Sequence, residues 1–286
     1  MNLQDFKDYL QNTNYALFDT DAYNAQLVSN SFMEDLWYEL IPNKSVIPTT
    51  AVICNRNTSG AINSEIKNSD VGKKLHFIGA NIEKDFNDTA QSLFYRSYIL
   101  IDRLSHQGGI LLNTSSPQTV NLPTAALTRY TDGAGVMAGY IQNELLTIGT
   151  AVGTISITYT NQDGVGSRVS PGGIYKGDSR APSVFGTIPL QSGDTGVRSV
   201  ESVTITLPAS SAGSCGIVLF KPLAIINTSS DTSSGQCNFV DGGIIGGIPE
   251  IADDACLDLL GINPPTGAAG AKNFNKSNGV LYFYES

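Results

Sequence analysis

The sequence predicts an α+β chain that is mainly β. A helical N-terminal part leads into an antiparallel β-sandwich of immunoglobulin-like or jelly-roll type, and a short C-terminal extension follows. Three observations carry this prediction. Apolar residues recur at helical spacing before Gly108, they alternate with polar residues after it, and Gly, Pro, Asn and Asp punctuate the second half at short intervals. The three parts span residues 1–106, 107–227 and 228–286.

In the first part Leu3, Phe6 and Leu10 share one face of a short helix. A second helix starts between Ser29 and Ser31 and carries Phe32, Met33, Leu36, Trp37 and Leu40 before Pro42 ends it. Strands are expected at residues 50–54 and 75–78. The strongest helix is expected over residues 89–105, with Asp88 as N-cap and Leu93, Ser97, Leu100, Ile101 and Leu104 turned inward. Gly108 and Gly109 supply its stop. His106 then sits at its C-terminal end, where a positive side chain is favoured, and His76 reads as a half-buried strand residue.

In the second part Ile155, Ile157 and Tyr159 alternate with Ser156, Thr158 and Thr160, the period of a half-buried strand. Asn161-Gln162-Asp163-Gly164 reads as the turn after it, because Asp-Gly readily supplies positive φ angles. Val203, Ile205 and Leu207 repeat the alternation up to Pro208, and residues 216–220 and 223–226 read as short buried strands. The polar run 227–235 is a linker. Pro249 then opens a short helix near residues 249–260, with Glu250, Asp253 and Asp254 at its positive end. Residues 280–284 form a last apolar strand that either completes the chain's own sheet or adds to a neighbour's edge.

Composition narrows the function. Charged residues are 15% of the 286, against roughly 25% in ordinary soluble domains. Apolar content is an ordinary 41%, so the polarity comes from Ser, Thr, Asn, Gln and Gly. That mix suits surfaces that pack on neighbours without burying charge. Seventeen basic against 26 acidic residues give a net charge of −9 with no basic run, which disfavours nucleic acid as a partner. No run reaches the length of a membrane helix, and the start of the chain lacks the basic and apolar segments of a signal peptide. Synthesis in the cytoplasm is expected, with no membrane partner.

The residues of chemistry are sparse. There is no Gly-x-Ser-x-Gly elbow, and His76 and His106 are the only imidazole bases. Asp19 with Asp21 and Asp253 with Asp254 lack calcium-loop spacing, and read as a turn and a helix terminus. The Gly242–Gly247 run lacks both the P-loop lysine and the dinucleotide fingerprint. Cys54, Cys215, Cys237 and Cys256 form no Cys-x-x-Cys motif and are expected as buried thiols, with disulfides formed after release from the cell as the alternative. Asn57, Asn87, Asn113, Asn227 and Asn275 head Asn-x-Ser/Thr triplets, as composition alone would produce. No catalytic, cofactor-binding or metal-ligating residue is assigned, and the chain is expected not to be an enzyme.

One series of segments points further. Leu104-Ser-His-Gln-Gly-Gly109 leads through Gln118-Thr-Val-Asn-Leu-Pro123 to Asp132-Gly-Ala-Gly-Val-Met-Ala-Gly139. Ile155-Ser-Ile-Thr-Tyr-Thr-Asn161, Val184-Phe-Gly-Thr-Ile-Pro-Leu190 and Ser192-Gly-Asp-Thr-Gly-Val-Arg-Ser-Val-Glu-Ser-Val203 follow. The series, over residues 100–226, resembles structural proteins of tailed bacteriophages, in which a strand ending Tyr-Thr-Asn precedes a turn and Gly-Asp-x-Gly-Val-Arg-Ser opens the next strand. The resemblance implies a β-sandwich and a place in the virion. Within it, Asp194 is expected to cap a turn, and Arg198 to pair with an acid across the sheet. The function expected is that of a capsid decoration or cement subunit, bound to the major capsid protein or other virion proteins. It would assemble with copies of itself, a trimer being natural for such a subunit. A neck, tail or baseplate component and a carbohydrate-binding receptor-recognition module are the alternatives.

Overall fold

The computed structural model describes residues 13–21, 26–27, 37–40, 47–58, 61–62, 74–85, 96–123, 127–142, 151–177, 184–206, 213–228, 236–239, 249–262, 272–273 and 276–285. Every regular element among them is a strand. The first are β1 (Thr13–Asp21), β2 (Gln26–Leu27), β3 (Trp37–Leu40), β4 (Val52–Ile53), β5 (Leu75–Asp85) and β6 (Arg96–Leu111). Then come β7 (Gln118–Thr119), β8 (Met137–Gln142), β9 (Ala151–Asn161), β10 (Arg168–Val169), β11 (Gly173–Gly177), β12 (Val184–Ile188) and β13 (Val197–Thr206). The last are β14 (Ser214–Thr228), β15 (Gln236–Phe239), β16 (Glu250–Ile251), β17 (Leu257–Ile262), β18 (Lys272–Asn273) and β19 (Lys276–Glu285).

The largest sheet runs β14-β8-β12-β3-β17-β6-β4, and a further pairing of β14 with β6 closes it on itself. Six strands therefore form a hydrogen-bonded ring, which leaves those six no open edge along the paired stretches. β4 shares the edge of β6 that β17 occupies: β17 covers residues 97–102 of β6, and β4 covers 105–106. The long β6–β14 ladder has register shifts, where Leu104 on β6 and Leu223 on β14 are extra residues. These bulges bend the wall as closure requires.

Two faces of this ring are apolar. One cluster, with Ile101, Ile141, Phe185, Val218, Phe220 and Leu260, fills the interior, where the Phe185 and Phe220 rings meet edge-on at 5.3 Å. The outer face is covered in two places. Around Leu104, Tyr140, Ile217 and Leu219 it packs on the sheet β10-β9-β13-β7, with β11 also on β9, through Ile155, Ile157, Tyr159, Val200 and Val203. Around Leu100, Ala224, Ile226 and Leu259 it packs on the sheet β1-β19-β5-β15 through Phe77, Leu281 and Phe283. Each such fully buried aliphatic or aromatic side chain is worth roughly 1.5–3 kcal/mol.

Several expectations are corrected. The mainly-β prediction agrees with these sheets, but the class is not α+β, since no helix occurs among the described residues. Residues 96–105 of the expected long helix lie in β6, Trp37 to Leu40 of the second helix form β3, and the expected helix near 249–260 is replaced by β16, a turn and β17. The remaining residues of the first three expected helices lie outside the described residues. For β6 the reason is double burial. Leu100 faces the outer sheets while Ile101 faces the ring interior, so apolar residues on both faces erase the period of two. Gly109 is not a helix stop but sits within β6 at φ 77, where a Cβ would lie 2.7 Å from Thr49 Cγ2. Within the expected sandwich region, the sheet of β9 and β13 packs on the wall of the closed ring.

Other expected elements are found, with changes. Residues 52–53 and 75–78 are in strands, and the alternating segments are β9 and β13. The two short runs 216–220 and 223–226 are one strand, β14, bulged after Pro222, and it takes in Asn227 and Thr228 of the expected linker. β19 lies between β1 and β5 of its own chain, so the last strand completes the chain's own sheet. Asp19 and Asp21 are not in a turn but end β1, opposite Asn278 and Lys276.

Candidate functional site

Two polar constellations stand out in a chain so poor in charge. The first is buried between the ring and its surrounding loops. Arg129 donates from Nε and Nη2 to the two oxygens of Asp102, both at 2.8 Å, a bidentate pair with side chains 5% and 0% exposed. Nη2 also reaches the carbonyls of Cys54 (3.0 Å) and Arg103 (3.2 Å), while Nη1 reaches Asp254 Oδ2 at 3.2 Å. The Cys256 amide donates to Asp102 Oδ1 at 2.9 Å. One guanidinium thus ties the loop before β8, the end of β4, the centre of β6 and the turn before β17. Burial opposes the charge on Arg129, but Asp102 and then Asp254 outweigh it and raise its pKa further. Burial raises the Asp102 carboxyl as well, against the pull of Arg129. On the inner face, Arg103 Nε lies 3.9 Å from Asp258 Oδ2, both buried.

The second constellation is at the apex where β9, β10 and β13 end. Asp194 accepts from Tyr159 Oη (2.5 Å), Asn161 Nδ2 (2.8 Å), Arg168 Nε (3.0 Å) and Arg168 Nη2 (3.1 Å). Arg168, Tyr159 and Asn161 together hold its carboxyl at about 2. Asn161 Oδ1 in turn accepts the amides of Asp163 and Val165, fixing the hairpin turn predicted there, with Gly164 at φ 78. Gln162 Oε1 takes the amides of Thr195 and Gly196. Asp194 therefore caps no turn amide of its own loop; it is the hub that joins two loops. Arg198 pairs with no acid among the described residues: Nε and Nη2 donate to the Gln162 carbonyl at 3.0 and 2.6 Å, and Nε to the Asp132 carbonyl at 3.2 Å.

The loops at this apex touch through glycine. A Cβ on Gly196 would fall 1.9 Å from the Gly133 carbonyl oxygen, a backbone atom that cannot swing away. Gly196→Ala is expected to cost about 2–3 kcal/mol, the range of overpacking strain. Thermal or chemical unfolding checks this, and an unchanged midpoint would show that the two loops can separate at no cost.

Asp194 has four donors on a carboxylate already ionised at neutral pH, which leaves it no proton to exchange there. His106 is not at a helix end but mid-strand in β6, opposite Val52 and Val218, and 5% exposed. Burial and the positive charge of Arg103 lower its pKa to about 3, so it is neutral. His76 is half-buried in β5, as expected. Asp253 and Asp254 lie in the turn before β17 rather than on a helix, and no group of three His, Cys, Asp or Glu able to hold a metal occurs among the described residues. Cys54, Cys215 and Cys256 are buried thiols in no disulfide, and Cys237 lies in β15. The Gly242–Gly247 run lies outside the described residues.

Sequence reasoning missed Arg129, Asp102, Tyr159 and Arg168. A signal for the first pair was present: Asp102-Arg103 interrupts the run Ile99-Leu100-Ile101 and Leu104, and charge inside an apolar run must find a partner.

No protein family and no curated protein matches the chain. Among solved structures, that of the infectious bursal disease virus Gx strain aligns at 7% identity over 95% of this chain and 78% of that one, with a TM-score of 0.16. A likeness at that score carries no argument about fold or function.

Proposed function

We propose that this chain is a structural protein of a tailed-phage virion, a capsid decoration or cement subunit that stabilises the head through protein–protein contacts. The observation that carries this reading is the Asp194 hub. The two segments on which the resemblance turns, Tyr159-Thr-Asn161 and Gly193-Asp-Thr-Gly-Val-Arg-Ser199, meet there, and their charged and amide groups are spent on one another. The outcome is a braced knob rather than a reactive cleft. Its outer surface carries Val165 and Val169, 51% and 57% exposed, among exposed Gly164, Gly166 and Ser167. Apolar and small residues on a rigid support are what a contact surface needs, since little ordering entropy is lost on docking. Such a subunit repeats with the particle's symmetry as a homo-oligomer, a trimer fitting a decoration role.

Cryo-electron microscopy of purified particles tests the reading. Density for this chain at regular sites on the head lattice is the expected result. Density confined to the neck or tail would replace the decoration role by a tail or baseplate role, and no density on any particle would remove the chain from the virion.

A further inference from the structure

Cys54 and Cys256 are far apart in sequence, yet they occupy successive places along one edge of β6. The Cys54 amide donates to the Leu104 carbonyl at 2.8 Å, continuing the β4 ladder beyond Ile53. The Arg103 amide donates to the Cys256 carbonyl at 2.9 Å, continuing the β17 ladder back from Leu257. β4 and β17 therefore lie end to end as a composite strand whose junction is Cys54 to Cys256. Successive positions on a strand normally face opposite sides. Here β6 carries its extra residue, Leu104, at this very place, and the two side chains share one buried cluster instead of pointing apart. Both are 0% exposed and pack together with Ala61.

We infer that Cys54 and Cys256 are a dithiol site that closes to a disulfide when the chain meets a peroxide-class oxidant, welding the β4 segment to the start of β17. The reactive partner is Cys256. The Cys54 thiol donates a hydrogen bond to its sulfur, which outweighs burial, and with Arg103, whose Nη2 lies 3.6 Å from Sγ, brings the thiol down to about 7. Cys215 has no such neighbours, and burial alone pushes its thiol far above the ordinary range. The Cys256 thiolate attacks one peroxide oxygen, the O–O bond breaks and one water leaves, giving a sulfenic acid. Cys54 sulfur then displaces the hydroxyl from that sulfur, and the Cys54 proton departs with it as a second water. Two S–H bonds are lost, one S–S bond forms, and the peroxide is reduced to two waters. Access needs local opening of the β4 segment, a two-residue strand outside the six-strand ring, with release of the Arg129 bond to the Cys54 carbonyl. In a reducing cytoplasm the pair stays as thiols; it closes once the chain reaches oxidising surroundings.

The test treats the intact protein with hydrogen peroxide and follows mass, linked peptides and melting temperature. The expected result is a loss of about 2 Da, a peptide joining Cys54 to Cys256, and a rise in Tm on the order of 5 °C because a very long loop is closed. Cys54→Ala should show neither the link nor the rise. The inference is overturned if oxygen accumulates on Cys256 without a link, if the link involves Cys215 or Cys237, or if both thiols remain alkylatable after unfolding.

Discussion

Arg129→Ala is expected to destabilise the fold by about 3–5 kcal/mol, the cost of leaving a buried charge without its partner. Asp102 would remain in the wall of the ring at 0% exposure, with only the Cys256 amide of the three donors it now has to its two oxygens. The carbonyls of Cys54 and Arg103 would each lose a donor as well. Two comparisons separate the buried pair from its rim. Asp254 is 54% exposed at 3.2 Å, so Asp254→Asn should cost about 1 kcal/mol or less. The double change Arg129→Met with Asp102→Leu removes both charges together and should cost less than Arg129→Ala alone. Urea unfolding of the three variants measures this order. If Arg129→Ala proved no worse than Asp254→Asn, the pair would be ornament rather than a structural tie.

Acid should weaken the protein well above the range where carboxylates protonate, because His106 is buried neutral. Its folded-state pKa is about 3, against about 6.5 for the same residue in water. In that window the unfolded chain binds the proton and the folded chain does not. The contribution is therefore complete above about pH 6.5 and declines by about 1.4 kcal/mol per pH unit as pH falls toward 3. The first cause is loss of water around the imidazole, and the second is the charge on Arg103. Between pH 6.5 and 4.5 the wild-type unfolding free energy should fall by about one proton's slope, and His106→Gln should flatten that segment whatever its absolute stability. An identical slope in both proteins would mean that the imidazole titrates normally and that β4 does not shield it.

How much of this was legible beforehand depends on which faces of a strand meet water. β9 and β13 pack one face on the core and leave the other partly wet, so Ile155, Ile157 and Tyr159 alternate cleanly with Ser156, Thr158 and Thr160. Their strands, and the Asn161–Gly164 turn between β9 and β10, could be read from local pattern. β6 is wrapped on both faces. Its sequence Ile99-Leu100-Ile101-Asp102-Arg103-Leu104 carries no alternation and happens to fit helical spacing. Trp37 to Leu40 also fit helical spacing in the sequence, and their strand exists because β12 and β17 pair with it on either edge.

The sequence by itself therefore determined a mainly β chain with low charge, its two clean strands, the hairpin turn and the buried thiols. Only the tertiary structure decided that β14 closes on β6, that Asp194 joins loops from β9, β10 and β13, and that Arg129 finds Asp102. It alone brought Cys54 beside Cys256. The physical reason is range. Alternation and turn chemistry are set by a residue's neighbours in the chain, whereas ring closure and the pairing of buried charges are set by strands that are distant in sequence and meet only when the whole core has formed.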